Sequence, residues 1–180
     1  MTITKWTIDP IHSEVSFKVK HFIISSVTGF FRKFQGSMES ISANFDGAKV
    51  NFSAVTDSID TNQTGRDNHL KSEIFFDAVR YPNIIFAGSI KNIGGHYKLV
   101  GNLTMKATTK VVELDLDYSD LTDDLYGQSK AGFEIDGIVN RKEFGLAWSA
   151  ITEVGSVVVS DQVRLHLNVQ VVKQHSEKIA

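Results

Sequence analysis

The chain has 180 residues, of which 42% are hydrophobic, and this is enough apolar material for the core of one ordinary domain. Its 19 basic residues nearly balance 21 acidic ones, and the net charge of −2 argues against nucleic acid or an anionic membrane surface as a partner, because both need clustered positive charge. The absence of cysteine excludes a disulfide framework, a thiolate nucleophile and a cysteine-based zinc site.

The beginning of the chain carries charge throughout. Five charged side chains fall within its first twenty residues: Lys5, Asp9, Glu14, Lys18 and Lys20. They leave no apolar stretch long enough for a signal peptide, and nowhere does an apolar run approach the about 20 residues of a membrane-spanning helix. We therefore expect a soluble, cytoplasmic protein with a single domain over residues 1–180, or a periplasmic one if a leader has been removed.

The opening segment, residues 6–21, predicts a strand. Val15, Phe17 and Val19 alternate with polar residues, so one face of the strand is apolar and the other is polar. A second alternating pattern spans 29–41, and one phase of it holds three apolar residues: Phe30, Phe34 and Met38.

The same period of two continues to the end of the chain. Apolar residues take alternate positions in six further segments: Val50, Phe52, Ala54; Ile84, Phe86, Ile90; Tyr97, Leu99, Leu103, Met105; Val112, Leu114, Leu116, Tyr118; Ala131, Phe133, Ile135, Val139; Val163, Leu165, Leu167, Val169, Val171. Between two of them, Gly94-Gly95 has the positive-φ tolerance that a tight hairpin requires. Strands with one polar face cannot form a parallel α/β sheet, which is buried on both faces. The pattern predicts an antiparallel barrel or sandwich.

A charged segment, residues 58–77, breaks the strand pattern. Within it, residues 64–72 predict a short helix, because they follow a turn and lack β-branched residues beyond their edge. Residues 72–77 would add another turn. Pro82 would end this stretch, since the residue before a proline avoids helical geometry.

The polar residues of the charged segment have two interpretations. As a site, Arg66 would clamp a phosphate or carboxylate and His69 would transfer protons, with Asp67 beside them. As a structural connection, Asp60 or Thr61 would cap the helix and Arg66 would pair with a carboxylate.

The sequence offers little for metal binding or catalysis. The H-E-x-x-H and H-x-H spacings are missing, and so are the nucleophile elbow, the P-loop and the dinucleotide-binding motif. A non-local metal site built from His12, His21 and His69 with an aspartate is the one alternative. We expect no metal, no cofactor and no catalytic residue.

The predicted interior also has two interpretations. Aromatic residues on inward phases would either fill a small eight-stranded barrel or line a cavity for one ligand. Gly88, Gly101 and Gly137 share those phases and would either open space or curve the strands.

Eight motifs follow one another along the chain: W6-x-I-D-x-x-H-S-x-V-x-F-x-V-x-H21, G29-x-F-x-x-F-x-G36, S58-I-D-T61, R66-D-x-H-L-x-S-x-x-F-F-D77, Y81-P-x-I-x-F86, G101-x-L-T104, T109-K-V-V and F144-G145. In this order they resemble the YceI-like family of lipocalin-shaped, polyisoprenoid-binding barrels. Each motif is weak alone, but together they cover the chain in the family's order. Asn62, Ala107 and Ser160 depart from the pattern at positions where glycine is common, which concerns turns more than the fold.

The resemblance implies an extended eight-stranded antiparallel β-barrel, lipocalin-like, with a short helical connection. Its elongated apolar cavity would bind a long isoprenoid or similar lipid, of polyprenyl or quinone type, in a carrier or storage role without catalysis, and a homodimer is a fair expectation. With the strand phases, it places nine residues in the cavity wall: Phe17, Val19, Phe34, Phe52, Phe86, Leu99, Leu114, Phe133 and Leu165. Arg66, His69 and Tyr81 would meet a polar headgroup at the mouth. The alternative is an enzyme that acts on a bound lipid around Arg66, Asp67 and His69.

Overall fold

The computed structural model describes residues 2–22, 24–148 and 159–175. Its strands are β1 (Thr4–Ile8), β2 (Glu14–His21), β3 (Ser25–Phe31), β4 (Phe34–Ser40), β5 (Lys49–Val55), β6 (Ile59–Asp60), β7 (Asn83–Ile93), β8 (His96–Met105), β9 (Thr108–Tyr118), β10 (Thr122–Asp123), β11 (Ser129–Asn140) and β12 (Val159–Lys173). The helix α1 spans Thr64–Lys71. Short 3₁₀ turns lie at Pro10–His12, Thr56–Ser58 and Arg141–Phe144.

The strands close into an antiparallel barrel with eight strand positions, which confirms the predicted fold. We call each position a stave; it holds either one strand or two consecutive short strands. β12 pairs with β11 along one edge, while its other edge pairs with β1 near Lys173 and with β2 nearer Val159. β1 and β2 therefore form one interrupted stave, and β3 with β4 forms the next, because β3 pairs with β2 and β4 pairs with β1. The remaining staves follow in chain order. The order is that of an up-and-down barrel.

The two ends of the barrel differ. One end, which we call the mouth, carries the turn between β2 and β3, the helix α1 and the 3₁₀ turn Arg141–Phe144. At the opposite, closed end an aromatic cluster of Trp6, Phe45, Tyr118 and Phe133 fills the interior. The ring of Phe45 lies 5.3 Å from each of the other three ring centroids. Edge-to-face contacts at this spacing are favourable, so they seal this end.

The 3₁₀ turn at Pro10–His12 changes which residues of the first stave face inward. The buried residue is Trp6 in β1, an even position, whereas Val15, Phe17 and Val19 of β2 occupy odd positions and line the interior. The carboxylate of Asp9 caps the turn by accepting from the amide of Ile11 at 3.1 Å. The predicted inward phase of β2 is therefore correct, although the segment is not one continuous strand.

A second change of phase separates β3 from β4 and corrects one prediction. The inward aromatic residue is Phe31, whose ring lies 5.6 Å from that of Phe17. Phe30 instead lies under the guanidinium of Arg32, 4.2 Å from the ring centroid. The residues between β3 and β4 shift the alternation by one position, so the expectation that Phe30 and Met38 share a phase was wrong.

The inward glycines make room for neighbouring groups. A Cβ atom on Gly29 would lie 2.2 Å from the Phe17 ring, and one on Gly137 would lie 2.2 Å from Leu114. Gly88 and Gly101 face each other across β7 and β8, where added Cβ atoms would meet backbone. The predicted hairpin after β7 is confirmed, with Gly94 and Gly95 at φ values of 61° and 89°.

The predicted helix is confirmed, with different details at its ends. α1 stops at Lys71, and the following residues form consecutive turns rather than further helix. Its N-cap is Gln63, whose side chain accepts from the amide of Arg66, so the expectation of Asp60 or Thr61 as the cap was wrong. No helix in the described part of the chain is both long and apolar enough to cross a membrane.

Candidate functional site: an apolar cavity with a polar mouth

An elongated cavity of about 370 Å³ occupies the barrel interior. This lies within the range of about 300–1,000 Å³ that is usual for small-molecule sites. Alternate residues of β12 from Val163 to Val171 line it, as do Ile84 and Phe86 of β7. At about 3.3 Å per residue, the lining stretch of β12 is more than 20 Å long, so the cavity follows much of the barrel. The interior is therefore partly open and not completely filled.

Most of the predicted wall residues line this cavity. They are Phe17, Val19, Phe52, Phe86, Leu99, Leu114, Phe133 and Leu165. Phe34 is the exception: it is the first residue of β4, directly after the change of phase, and it is half-buried. Its ring packs on Phe52, with centroids 6.3 Å apart, so it supports a wall residue from outside the lining.

Arg66 lies at the mouth and is tied to Thr61. Its Nε donates to the Thr61 hydroxyl and its Nη2 to the Thr61 carbonyl, each at 2.7 Å. The expected pairing of Arg66 with a carboxylate was wrong. Among the described residues, no carboxylate lies within ion-pair distance of the Arg66 guanidinium. Arg66 still forms part of the cavity lining.

Asp67 anchors the same threonine from the other side. Its carboxylate accepts from the Thr61 amide at 2.8 Å and from the Thr61 hydroxyl at 2.5 Å. Since Thr61 is only 4% exposed, these bonds fix the entry of the chain into α1 in a buried place. Much of the hydrogen-bonding capacity of Arg66 and Asp67 is therefore used to hold the connection in position.

His69 and Tyr81, the other two predicted headgroup contacts, lie in different places. The imidazole of His69 lines the cavity and meets the Trp148 ring edge-to-face at 4.6 Å. Tyr81 lies outside the cavity lining and borders a surface groove with Arg80 and Lys106. The guanidinium of Arg80 lies 5.4 Å from the Tyr81 ring. The mouth therefore brings His69 and Arg66 together at the cavity and leaves Tyr81 beside it.

Arg141 is a mouth residue that the sequence analysis missed. It is 2% exposed, and its guanidinium donates to the carbonyls of Ser160 at 2.9 Å, Leu146 at 2.6 Å and Trp148 at 2.7 Å. Burial lowers the pKa of Arg141, and Asp161 at 3.7 Å opposes this effect. Its position after the last residue of β11 gave no periodic signal, so only the fold identifies it.

Other lining residues were also missed because they lie outside regular strands. Phe75 and Phe76 follow α1 and pack on each other at 5.4 Å, and Phe76 also meets Phe31 edge-to-face at 6.1 Å. All three line the cavity. The paired phenylalanines of the charged segment were the available signal, because adjacent apolar residues after a polar helix suggest a buried anchor.

The suggested histidine metal site does not assemble. His12 pairs with Asp9, Nδ1 to Oδ2 at 2.8 Å, whereas His21 and His69 line the cavity. Across the residues that the structure describes, no three histidine, aspartate or glutamate side chains are positioned to share a metal ion.

These features define a lipocalin-like barrel: a closed antiparallel sheet around an apolar cavity, with a helical connection across one end. The chain belongs to the YceI-like domain family, which it matches over residues 6–171. It is 34% identical to the protein YceI of Salmonella newport over 164 residues, covering 91% of this chain and 83% of that protein.

Solved structures agree with this fold. The crystal structure of the Campylobacter jejuni YceI protein superposes with a TM-score of 0.73 at 27% identity, covering 88% of this chain and 91% of that one. A polyisoprenoid binding domain from Saccharophagus degradans, implicated in plant cell wall breakdown, gives a TM-score of 0.69 at 13% identity, covering 92% and 97% of the two chains.

Proposed function

We propose that the protein binds a long-chain isoprenoid or similar lipid, of polyprenyl or quinone type, inside the barrel and acts as its carrier or store. The observation that carries this proposal is the continuous apolar cavity along the barrel, with polar side chains confined mainly to its mouth. The description of the Saccharophagus neighbour as a polyisoprenoid binding domain supports the same class of ligand.

The energetics favour a chain-like ligand. Each Å² of apolar surface removed from water contributes about 25 cal/mol, so a chain that buries a few hundred Å² gains several kcal/mol before ordering costs. No specific polar contact is needed for this gain. A site of this kind selects ligands by length and shape, and it tolerates related lipids.

Arg66 and His69 are the proposed contacts for a polar headgroup. Both line the cavity at the mouth, where a headgroup could keep contact with water while its chain lies inside. The guanidinium of Arg66 keeps donors beyond the two that Thr61 occupies, and these suit an oxygen-rich headgroup.

Binding is favoured over the alternative of an enzyme acting on a bound lipid. Arg66 and Asp67 hold Thr61, and His69 packs on Trp148, so the set forms a structural connection with two cavity-facing members. Replacing His69 with Ala separates the two functions. Retention of lipid would persist for a carrier, whereas turnover of a candidate lipid would vanish for an enzyme.

The test uses a variant that fills the cavity. Val112 lines the cavity, whereas Val111, its neighbour in β9, is 72% exposed on the outer face. Val112→Trp should lower the affinity for geranylgeraniol and ubiquinone-10 at least about tenfold, because the indole occupies ligand volume. Val111→Trp is the matched control and should bind as the wild type does.

Native mass spectrometry of gently purified protein provides the second measurement. The proposal expects a co-purifying lipid in the wild type that is depleted in Val112→Trp. Absence of lipid from the wild type, together with no binding of either probe, would overturn the proposal. Equal binding by the two tryptophan variants, both folded, would show that the ligand lies elsewhere.

A further inference from the structure

The hairpin of β2 and β3 combines positive charge with an exposed apolar tip. The stretch from Val15 to Met38 contains Lys18 and Lys20 in the hairpin and Arg32 and Lys33 directly after it, with no acidic residue. Arg32 pairs with Asp60 at 3.0 Å. At its tip, Phe22 is 40% exposed and Ile24 is 89% exposed. This composition differs from the near-neutral balance of the whole chain, in which basic and acidic residues almost cancel.

The described residues of the tip, Phe22 and Ile24, lie at the cavity mouth. The Ile24 amide donates to the His21 carbonyl at 3.2 Å, and the Phe22 ring packs edge-to-face on the His21 ring at 4.4 Å. Lys20 and His21, the last residues of β2, are part of the cavity lining. The exposed apolar side chains therefore stand beside the opening through which a ligand would pass.

The closed end has mixed charge. Residues 115–124, which begin in the last part of β9, contain five aspartates and no basic residue, but Lys49 and Lys91 are exposed at the same end. The carboxylate of Asp124 pairs with Lys130 at 3.3 Å, but Asp117 and Asp120 are exposed. An anionic surface would attract the hairpin more strongly than this mixed end, so approach with the mouth first is favoured.

We propose that the β2–β3 hairpin docks the mouth of the barrel onto an anionic lipid bilayer. Lysines and arginines beside exposed apolar residues are the arrangement by which peripheral proteins hold an anionic membrane interface. Phe22 and Ile24 would enter the interface while Lys18 and Lys20 contact headgroups. Two apolar side chains offer too little area for the core of a stable protein–protein interface, which favours a bilayer as the partner.

A further exposed apolar side chain, that of Val79, lies at the mouth end of the barrel. Val79 is 97% exposed and borders the groove that also contains Arg80 and Lys106. Glu73 and Asp77 line this groove too, so its charge is mixed. The hairpin therefore provides the electrostatic attraction, and Val79 adds apolar contact once the mouth is seated. This inference goes beyond the proposed function, because docking concerns the outer surface and needs no ligand in the cavity.

The experiment measures co-sedimentation of the full chain with two kinds of vesicle, phosphatidylcholine alone and phosphatidylcholine mixed with phosphatidylglycerol. The proposal expects association with the anionic vesicles only. This association should be lost in about 0.5 M NaCl, because salt screens the attraction between the lysines and the anionic headgroups. Ile24→Asp, and separately the double variant Lys18→Glu/Lys20→Glu, should reduce the bound fraction about tenfold or more.

Matched variants at the closed end serve as controls. Leu125→Asp replaces a fully exposed apolar residue, and Lys49→Glu/Lys91→Glu reverses two exposed lysines of that end. All of them should sediment like the wild type, and thermal unfolding should show every variant folded. Binding to neither vesicle, equal binding to both, or equal losses from variants at the two ends would overturn the proposal. Retention of geranylgeraniol in solution, measured in parallel, tests the cavity separately.

Discussion

At the scale of single residues, the buried guanidinium of Arg141 organises the mouth. It donates to carbonyls from two separate parts of the chain, at Leu146 and Trp148 on one side and at Ser160 on the other. These carbonyls would lose their partners if the guanidinium were removed, and an unsatisfied buried polar group is costly. Arg141 also lies 5.8 Å from the ring of Phe75, so it links the carbonyl network to the cavity wall.

Replacing Arg141 with Met should lower the free energy of unfolding by about 2–4 kcal/mol, because several carbonyls are left without donors. Urea unfolding at neutral pH measures the change. Lys142→Gln is the control: Lys142 is more exposed and contacts the same Asp161 at 3.2 Å, so its loss should matter little. Equal effects of the two substitutions would contradict the assigned role of Arg141.

Asp60 gives a prediction about pH. Its carboxylate accepts from the Asn62 amide at 2.9 Å and from Arg32 at 3.0 Å, and these bonds hold the pKa of Asp60 below its ordinary value. A lowered folded-state pKa adds stability above the unfolded pKa of about 3.9, and this stability is lost as the pH falls through the folded-state value.

Asp60→Asn should therefore be less stable than the wild type at neutral pH, and the difference should shrink as the pH falls below about 4. Urea unfolding of both proteins across this range measures it. A difference that stays constant with pH would mean that the carboxylate charge contributes nothing.

At the scale of elements, α1 depends on tertiary contacts. It has eight residues, and helices this short are marginal in isolation. The buried Thr61 ties its start through Asp67 and Arg66, and Leu70, Phe75 and Phe76 hold the following turns against the cavity. Helical propensity alone therefore does not maintain this connection across the mouth.

Thr61→Val should loosen α1 more than the barrel. The substitution removes the hydroxyl that donates to Asp67 and accepts from Arg66, at an expected cost of about 1–3 kcal/mol. Hydrogen exchange should accelerate for the amides of α1 while those of β11 and β12 stay protected. Thr64→Val, at an exposed position on the same helix, is the control. Equally fast hydrogen exchange of α1 in this variant would contradict the role of the Thr61 hydroxyl.

At the scale of the whole molecule, the barrel has an apolar inside and a polar outside. Charged substitutions on the inner face should therefore damage folding or lipid uptake, whereas those on the outer face should not. Phe86→Asp or Phe133→Asp should abolish folding or lipid uptake, because each puts an unpaired charge at a position that is only 5% exposed. The cost of several kcal/mol is comparable to the stability of a domain. Circular dichroism and lipid retention measure the outcome.

Lys18→Glu and Asp115→Lys are the corresponding outer-face changes and should alter folding and uptake little. Both residues are exposed, and the ion pair of Asp115 with Lys98 lies at the surface, where such pairs contribute little. Equal tolerance of inner and outer substitutions would show that the assignment of the two faces is wrong.

The sequence by itself determined an antiparallel all-β fold, the position of α1, the hairpin at Gly94-Gly95 and most of the cavity wall, and the family resemblance chose the barrel over the sandwich. Side-chain alternation is a local property of each strand, so it can be read without knowing which strands pair. It failed where a turn shifted the alternation, because Phe31 replaced Phe30 on the inward face. Phe34 keeps the phase of Met38 but lies outside the cavity lining.

Only the tertiary structure decided how the interior and the mouth are built. Whether Gly29 and Gly137 open space depends on Phe17 and Leu114, which belong to other strands. The role of Arg141 depends on carbonyls up to 19 positions away. Balanced net charge likewise concealed a basic hairpin at one end and acidic residues at the other, because composition records how many charges a chain has and folding determines where they lie.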